Sequence, residues 1–550
     1  MLGGSYTPHS PINITSNADF ASQGWPGSGT EGDPYVIAGL NITDSSVCVN
    51  ISNTDVYFEI RNCLVSSFSP SSSDGVVFYN VTHGTVKSCV IELHYNGVHL
   101  LYSPSCLLTN NTAVGNGWIG FWFDSSGSCT LTNNTAASND DGFYLRYSSS
   151  CVLTNNTATS NSGEGFWLDT SDSCILKNNT ATGNYLGFYL FYSDSCTLMT
   201  NILSGNGLSI QGNSLDHWIH DISDNTVNDR PLGYFKSVSD MIIQGDQFGQ
   251  VILANCSGVT VRNGVFISAS MGIQLGFSTN CTLTNNTATG NGYGFDLYSS
   301  SNCTLVNNTA SSSYCGFYLQ SSFNCTLMNN TASTNDYVGF GLRYSGSCTL
   351  TNNTATRDND GFDFYSSSDC TLANNTASGN VGNGFYIRFS SNCILTNNTA
   401  ASNTHDGFSL DSASNCTLMS NTAGGNHDGF FLNSASNCTL TNNTATSNTD
   451  DGFSLDSSSN CTLANNMATS NDIGFVLYSS SDCALKSNIA TNNDYGFYLS
   501  SSDSCILTSN TFNCNGLFIF GTSLGHWIHD ISDNTVNDRP LGYFKSVSDM

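Results

Sequence analysis

Short runs of alternating apolar and polar residues, separated by polar turns, recur along almost the whole chain. In residues 278–300, STNCTLTNNTATGNGYGFDLYSS, the letters CTLTN alternate Cys and Leu with Thr, and GFDLY alternates Phe and Leu with Asp and Tyr. A period of two is typical of β-strands with one buried face, and clusters of Asn, Gly and Ser are typical of turns. No unit has the 3.6-residue period of a helix, so the pattern predicts an all-β chain.

Two residue columns report the same repeat length. Aligned cysteines run from Cys106 to Cys196 and from Cys281 to Cys505, and within each run they are 22 or 23 residues apart. The Phe of the motif Gly-Phe-x-Leu keeps the same step. A unit of this length cannot bury its own apolar face and must stack on its neighbours. The repeat therefore predicts a solenoid with one unit per coil, in which each strand pairs in parallel and in register with the next coil at ~4.8 Å.

The unit NCTLTNNT…GFxL resembles the repeats of NosD-type and pectate-lyase-like proteins. Residues 11–43 and 225–275 are similar to the opening segment and the interrupting element of archaeal cell-surface β-helix proteins. The resemblance implies a right-handed parallel β-helix, a single-stranded solenoid. It says little about function, because this fold hosts lyases, hydrolases, adhesins and inert rods. Copper delivery is associated with NosD relatives, but this chain has no Met- or His-rich tract.

The regularity of the repeat predicts five regions. We expect an N-terminal cap with irregular first coils (1–100), a first regular block (101–203), an interrupting element (204–255), a second regular block (256–512) and the start of another interrupting element (513–550). The segments His217–Met241 and His526–Met550 are identical. This identity predicts a higher-order repeat, and a chain that ends inside a module of a longer protein that carries its own export signal or anchor.

Charge narrows the range of partners. The chain has 550 residues, with 13 Lys and Arg against 41 Asp and Glu, for a formal charge of -28. It lacks the basic patch that nucleic acid or an anionic membrane surface would need. No run of apolar residues is long enough to span a bilayer, and the opening residues have no signal-peptide pattern.

The 22 cysteines include no C-x-x-C pair, so the spacing does not favour a zinc site. In-register stacking places column cysteines with parallel Cβ vectors, which do not converge as a disulfide requires. We expect mostly free, buried thiols, with bridging left open for the off-column residues Cys48, Cys63, Cys315 and Cys514.

The Asn-Asn-Thr motif has two compatible interpretations. The second Asn would build an internal amide ladder, while the first would face outward as an N-glycosylation acceptor. Predicted acceptors are Asn133, Asn155, Asn178, Asn285, Asn307, Asn329, Asn352, Asn374, Asn397 and Asn442, with further Asn-Cys-Thr sites at Asn280, Asn302, Asn324, Asn415, Asn437 and Asn460.

Three adjacent coils carry the turns NTHDGF, GNHDGF and NTDDGF. In-register stacking would pile their acidic and imidazole side chains, and carboxylates at that spacing repel unless a cation lies between them. We expect a Ca²⁺ site here, with a solvated, screened turn as the alternative. The predicted ligands are His405, Asp406, His427, Asp428, Asp450 and Asp451. The motif HWIHD (His217, His220 and Asp221) is a weaker metal candidate.

The outward positions around Gly-Phe-x-Leu suggest a ligand surface in the first block. Trp122, Tyr144, Trp167 and Tyr189 would form an aromatic strip that binds sugar rings. Asp124 and Asp169 would lie two coils apart, at about 9.6 Å, near the upper limit for an inverting glycosidase pair. Arg146 would lie between the two acids and pair with them.

These observations favour a non-catalytic extracellular or cell-surface β-helix that serves as a rigid structural or adhesive element and binds polysaccharide or surface glycans. Two alternatives remain. One is a polysaccharide lyase or glycoside hydrolase that works on the outer face with Asp124, Asp169 and Arg146. The other is a self-assembling fibre or coat subunit, whose modules associate end to end.

Overall fold

The computed structural model describes residues 6–70 and 73–545. The first five residues of the predicted cap and the last five of the repeated segment lie outside the described residues. The chain forms two compact units. Unit 1 comprises Met1–Ser237, Asp246–Asn255 and Phe266–Gly272, and unit 2 comprises Val238–Gly245, Cys256–Val265 and Ile273–Met550.

Each unit is built from right-handed coils of about 22 residues, which confirms the predicted all-β parallel β-helix. A typical coil has strands at Thr130–Thr132, Thr135–Ala137 and Asp141–Arg146. We name the three faces that such strands form the Cys face, the Ala face and the Phe face, in that order. Parallel pairing is in register, so Phe143 pairs with Phe121 on one side and Phe166 on the other.

The Phe face carries the outer surface that matters most below. In unit 1 its strands are Ile12–Ile14, Val49–Thr54, Val76–Val81, Val98–Leu101, Ile119–Asp124, Asp141–Arg146, Glu164–Asp169, Leu186–Phe191 and Leu208–Gln211. In unit 2, from Tyr293 onward, they are Tyr293–Tyr298, Cys315–Gln320, Val338–Arg343, Asp360–Tyr365, Phe385–Arg388, Phe408–Asp411, Phe430–Asn433, Phe453–Asp456, Ile473–Tyr478, Tyr495–Ser500 and Leu517–Phe520.

The other two faces follow the same plan. The Cys face runs from Tyr35–Ala38 to Asp221–Ser223 in unit 1 and from Ile242–Gln244 to Asp530–Ser532 in unit 2. The Ala face runs from Thr7–His9 to Thr226–Val227 in unit 1, and in unit 2 from Thr287–Thr289 to Thr535–Val536.

Stacked phenylalanines fill the interior behind the Phe face. From Phe295 to Phe475 in unit 2, neighbouring rings lie 4.7–4.8 Å apart with interplanar angles of 3–7°. Every ring of this column is fully buried. Burying a large apolar side chain contributes about 1.5–3 kcal/mol, so the column is a major part of the core.

Buried asparagines form the predicted amide ladder between the Cys and Ala faces. Asn375 is typical: its Oδ1 accepts from the backbone N–H and the Nδ2 of Asn353, at 2.9 and 3.0 Å. Its own Nδ2 donates to Leu350 O at 2.8 Å and to Asn398 Oδ1 at 3.0 Å. The amide therefore satisfies backbone groups at the corner that no strand pairing reaches.

Unit 1 begins with irregular coils and a short helix, Asn17–Ser22, which starts with a capping box between Ser16 and Asp19. The helix buries Phe20 against Tyr35 and Phe58, at ring separations of 4.9 and 5.2 Å. This helix thus covers the end of the apolar interior in the first coils.

Among the described residues, the identical segments share two local elements. These are a 3₁₀ helix at Asp216–Trp218 or Gly525–Trp527, whose first residue precedes the segment, and an antiparallel turn that starts at Thr226 or Thr535. The copies differ after the turn, where Arg230–Lys236 is a strand of seven residues and Arg539–Pro540 a strand of two. A further 3₁₀ helix spans Gly245–Gln247.

None of the 22 cysteines, all of which are among the described residues, forms a disulfide, so the bridging left open for the off-column residues is not found. Cys48 has instead a contact of 3.7 Å between its Sγ and His94 Nε2. All but Cys514 are buried, and burial raises the pKa of Cys505 to about 12.

In the native protein we expect a thiol-alkylating reagent to modify Cys514 alone, because every other cysteine is at most 2% exposed. Mass spectrometry of peptides after native alkylation measures this, with urea-denatured protein as the control in which every cysteine reacts. Rapid native labelling of a column residue such as Cys370 would show that the coils are looser than described.

Candidate functional site

On the Phe face, alternate side chains point to opposite sides of each strand. In Asp141–Arg146, Phe143 and Leu145 are fully buried, whereas Arg146 is partly exposed on the outer side. The predicted aromatic strip lies in register on that side, because Trp122 pairs with Tyr144, Tyr144 with Trp167, and Trp167 with Tyr189.

The rings of the aromatic strip stack along the column. The closest pair is Tyr144 and Trp167, with centroids 4.3 Å apart, whereas Trp122 and Tyr144 are 6.3 Å apart. His99 extends the strip by stacking on Trp122 at 3.9 Å and 6°. Ring faces therefore cover one another in two pairs, His99 with Trp122 and Tyr144 with Trp167, whereas the remaining neighbours are farther apart. The indole nitrogens of Trp122 and Trp167 are buried and have no hydrogen-bond partner, so they are not accessible to a ligand on the outer surface.

The three predicted catalytic candidates flank this strip in register. Arg146 pairs with Asp124 on one side and Asp169 on the other, so the two acids are two coils apart as expected. Arg146 Nε lies 3.8 Å from Asp169 Oδ2, and the Tyr144 hydroxyl donates to the same oxygen at 3.1 Å. Burial, together with the charge of Asp169, raises the pKa of Tyr144.

A carboxyl pair next to the strip was missed by the sequence analysis. Asp141 and Glu164 begin the strands that carry Tyr144 and Trp167, and Asp141 Oδ1 accepts from the backbone N–H of Glu164 at 2.8 Å. Burial and the neighbouring Asp141 raise the pKa of Glu164 to about 8. The only sequence signal was an acid just before Gly-Phe in two adjacent units.

In unit 2 the same position, just before Gly-Phe, forms a side-chain ladder over five coils. Asp360 Oδ1 accepts from Asn383 N at 2.7 Å, and Asn383 Oδ1 accepts from Asp406 N at 3.1 Å. Asp406 Oδ1 accepts from Asp428 N at 3.4 Å, and Asp428 Oδ1 accepts from Asp451 N at 2.8 Å. We name these five residues the Asp ladder.

The Asp ladder brings most of the predicted metal ligands together. Ligand atoms of Asp406, His427 and Asp428 lie within 4.8 Å of one another, as do those of Asp428, Asp450 and Asp451. His427 has contacts of 3.6–3.8 Å with the carboxylates of Asp406, Asp428 and Asp450. The exposed His405 belongs to neither group.

Burial dominates the electrostatics of the Asp ladder. It raises the pKa of Asp406, raises the pKa of Asp428 to about 7 and raises the pKa of Asp451 to about 8. For Asp451, the neighbouring charges of Asp428 and Asp450 add to this effect. Such a cluster favours either protons or a cation over free carboxylates.

A second missed feature is an ion pair that joins the two coils immediately before the metal candidates. Arg388 donates from Nε and Nη2 to the two carboxylate oxygens of Asp363, at 3.2 and 2.6 Å, and lies 4.5 Å from the centre of the Tyr386 ring. This bidentate geometry fixes the guanidinium in place.

In the HWIHD motif, the contacts of His220 argue against its role as a metal ligand. His220 Nδ1 accepts from Cys196 N at 3.2 Å, and its Nε2 is 2.9 Å from His217 O. Both ring nitrogens are thus engaged, and burial lowers the pKa of His220 to about 4.

The predicted glycosylation acceptors all lie at the surface. Asn133 and Asn374 are typical: each is exposed in a left-handed turn with φ of 56°, while the next Asn is buried in the amide ladder. This placement fits both interpretations of the motif. Modification itself remains a prediction.

Among the described residues, no helix is long and apolar enough to cross a membrane.

Family models match most of the chain. Residues 38–231 match the model described as "Periplasmic copper-binding protein (NosD)", and residues 249–400 and 360–512 match "Right handed beta helix region". A search of curated proteins finds no significant match.

Several solved structures are similar in fold. The Azotobacter vinelandii mannuronan C-5 epimerase AlgE6 A-module is 14% identical, over 70% of this chain and 90% of its own, with a TM-score of 0.30. PfbA, a surface adhesin of Streptococcus pneumoniae, is 13% identical over 74% and 85%, with a TM-score of 0.26. The PL6 family alginate lyase AlyGC is 10% identical over 96% of both chains, with a TM-score of 0.24. At these identities the likeness concerns the fold alone. By its coil geometry and its family matches, the chain is a right-handed parallel β-helix protein, with similarity to the NosD family over residues 38–231.

Proposed function

We propose that this protein is a non-catalytic, exported β-helix that serves as a rigid structural or adhesive element and binds glycans along the aromatic strip of unit 1. The observation that carries the proposal is the unbroken register of Trp122, Tyr144, Trp167 and Tyr189 on the outer side of one face. With His99, the strip covers four strand spacings, about 19 Å, which suits an extended oligosaccharide lying along the coils.

Rigidity supports binding at this strip. Stacked rings on a paired sheet lose little conformational entropy when a ligand arrives, so more of the contact energy contributes to affinity. The indole rings of Trp122 and Trp167 are partly exposed and offer apolar surface against which a sugar ring can pack. The flanking Asp124 and Arg146 add polar groups at fixed spacing.

The contacts of the flanking acids argue for binding rather than catalysis. Asp169 accepts from Tyr144 and lies near Arg146, so it is held by neighbours and is not free to act as a base. Export is supported by the "Periplasmic" description of the matched NosD family and by the row of exposed acceptor asparagines. End-to-end association with further copies stays a prediction.

Glycan binding should depend on the half-buried indoles. We expect the double variant Trp122→Ala with Trp167→Ala to lower the affinity for the glycan at least tenfold, because each substitution removes one aromatic ring from the contact surface. The measurement is a screen of neutral and acidic polysaccharides by glycan array, followed by titration of the best ligand.

The matched control is the pair Tyr344→Ala with Phe389→Ala, two exposed rings on unit 2 that should leave affinity unchanged. Unchanged binding by the indole variant would remove the proposed strip. Release of shortened products from any polysaccharide, abolished in both Asp124→Ala and Asp169→Ala, would establish the enzyme alternative instead.

A further inference from the structure

The geometry points to a divalent-cation site of the calcium class at the end of the Asp ladder, where the carboxylates of Asp428, Asp450 and Asp451 would hold the ion. This site lies in unit 2 and is independent of the glycan-binding proposal.

The first observation is that the Phe-face strands are shorter next to the Asp ladder. In the last four of the five coils that carry the Asp ladder, the Phe-face strands are only four residues long: Phe385–Arg388, Phe408–Asp411, Phe430–Asn433 and Phe453–Asp456. The strands before and after them, Asp360–Tyr365 and Ile473–Tyr478, have six residues. At this corner side-chain oxygens accept the backbone N–H groups of Asn383, Asp406, Asp428 and Asp451, and the accepting oxygen is a carboxylate in three of these four steps.

The second observation is an orphaned oxygen. Each step of the Asp ladder uses one side-chain oxygen to accept the next backbone N–H, but the ladder ends at Asp451. Asp451 Oδ1 is buried and has no hydrogen-bond partner, and the residue is only 8% exposed. A buried, unpartnered carboxylate oxygen costs several kcal/mol unless something neutralises it.

The third observation is the arrangement around that oxygen. Ligand atoms of Asp428, Asp450 and Asp451 lie within 4.8 Å of one another, close enough to converge on one ion after small side-chain rotations. Asp428 is also buried, whereas Asp450 is half-buried and opens the site to solvent. Three carboxylates form an all-oxygen ligand set whose negative charge exceeds that of a divalent ion by one, and hard cations such as Ca²⁺ prefer oxygen ligands.

The chain itself offers one competing cation. His427 Nε2 lies 3.7 Å from Asp450 Oδ2 and Nδ1 lies 3.8 Å from Asp428 Oδ1, but the side chain is 53% exposed and does not reach the orphaned oxygen within hydrogen-bond distance. The imidazole borders the site and would shift selectivity towards nitrogen-seeking metals if it were a ligand.

Calorimetric titration of the chelator-stripped full chain with Ca²⁺ tests the site. We expect one saturable site per chain, with Kd of about 10⁻⁴–10⁻³ M, the range of extracellular calcium modules. Asp451→Asn should weaken binding at least tenfold, and so should Asp450→Asn. Because the Asp450 side chain is 48% exposed, its substitution should leave the fold intact, and loss of binding in this variant would not reflect misfolding. Asp456→Asn, on the same strand face but hydrogen-bonded to Ser457, should bind as the wild type does.

A parallel titration with Zn²⁺ separates the two ligand chemistries. Weak or absent Zn²⁺ binding, with Ca²⁺ binding intact in His427→Gln, supports the all-oxygen site. Three results would overturn the proposed calcium site. In the first, the wild type fails to bind Ca²⁺, and in the second, the Asp450→Asn variant binds Ca²⁺ as tightly as the wild type. In the third, the protein binds Zn²⁺ but not Ca²⁺ and loses Zn²⁺ binding in His427→Gln.

Discussion

Asp358→Asn is expected to stabilise unit 2 by about 4 kcal/mol at pH 8. Asp358 is a fully buried carboxyl in a second internal amide ladder: its Oδ1 accepts from the backbone N–H and Nδ2 of Asn335 at 2.8 and 2.7 Å. Its Oδ2 has no partner. An amide there would donate to Asn380 Oδ1, as the other asparagines of this ladder do with their neighbours.

The gain from this substitution depends on pH. Burial raises the pKa of Asp358 from 3.8 to about 7, so the folded protein keeps a proton that the unfolded chain releases. A raised carboxyl pKa means that stability falls as pH rises from about 4 through 7 and then stays constant. The advantage of Asn is therefore small at pH 4 and complete above pH 7.

The free energy of unfolding is measured by urea denaturation of the wild type and the Asp358→Asn variant at pH 4.5 and 8. Hydrogen exchange of the Asn335 and Asn380 amides shows whether the change is local to this ladder. Asp336→Asn serves as the control, because Asp336 is exposed and adjacent to the ladder. An advantage that is equal at the two pH values would show that Asp358 does not titrate in the folded state.

Asn375→Ala is expected to destabilise unit 2 by about 3–5 kcal/mol, among the largest effects of any single polar substitution. The change removes four hydrogen bonds and leaves the buried Asn353 N and Leu350 O without partners. Such orphaned groups cost about 1–3 kcal/mol each.

The neighbouring Asn374→Gly is the matched control. Asn374 is exposed and adopts φ of 56°, which Gly adopts freely, so stability should change by only a few tenths of a kcal/mol. The midpoint of urea denaturation gives both values, and hydrogen exchange shows whether the loss is confined to nearby coils. Similar stabilities for the two variants would show that the amide ladder contributes little.

Most of the fold could be predicted from the columns of repeated residues. Because each residue meets its own counterpart in the next coil, spacing alone predicts both the register and the stacked interior, as Phe143 between Phe121 and Phe166 shows. The same reasoning predicts that His427 and the acids of adjacent turns meet.

Alternation fails where the chain turns between faces, and the carboxyl groups that the sequence analysis missed at Asp141, Glu164 and Asp358 lie there. Asp141, Glu164 and Asp358 occupy corners rather than strand interiors, so a period of two assigns them no side. The corner also explains the invariable Gly before Phe: a Cβ on Gly142 would lie 2.5 Å from Gly165 O. Ring orientation in the aromatic strip was likewise beyond the sequence, because it depends on rotamers rather than on which residues are neighbours.

The repeated interior makes the length of unit 2 adjustable. Where Phe lies on Phe, Leu on Leu and Asn on Asn across successive coils, removing a whole unit of 22 or 23 residues joins surfaces that already match. Duplication or deletion of the gene segment that encodes one coil would thus lengthen or shorten unit 2 by one strand spacing and leave the packing of the interior unchanged.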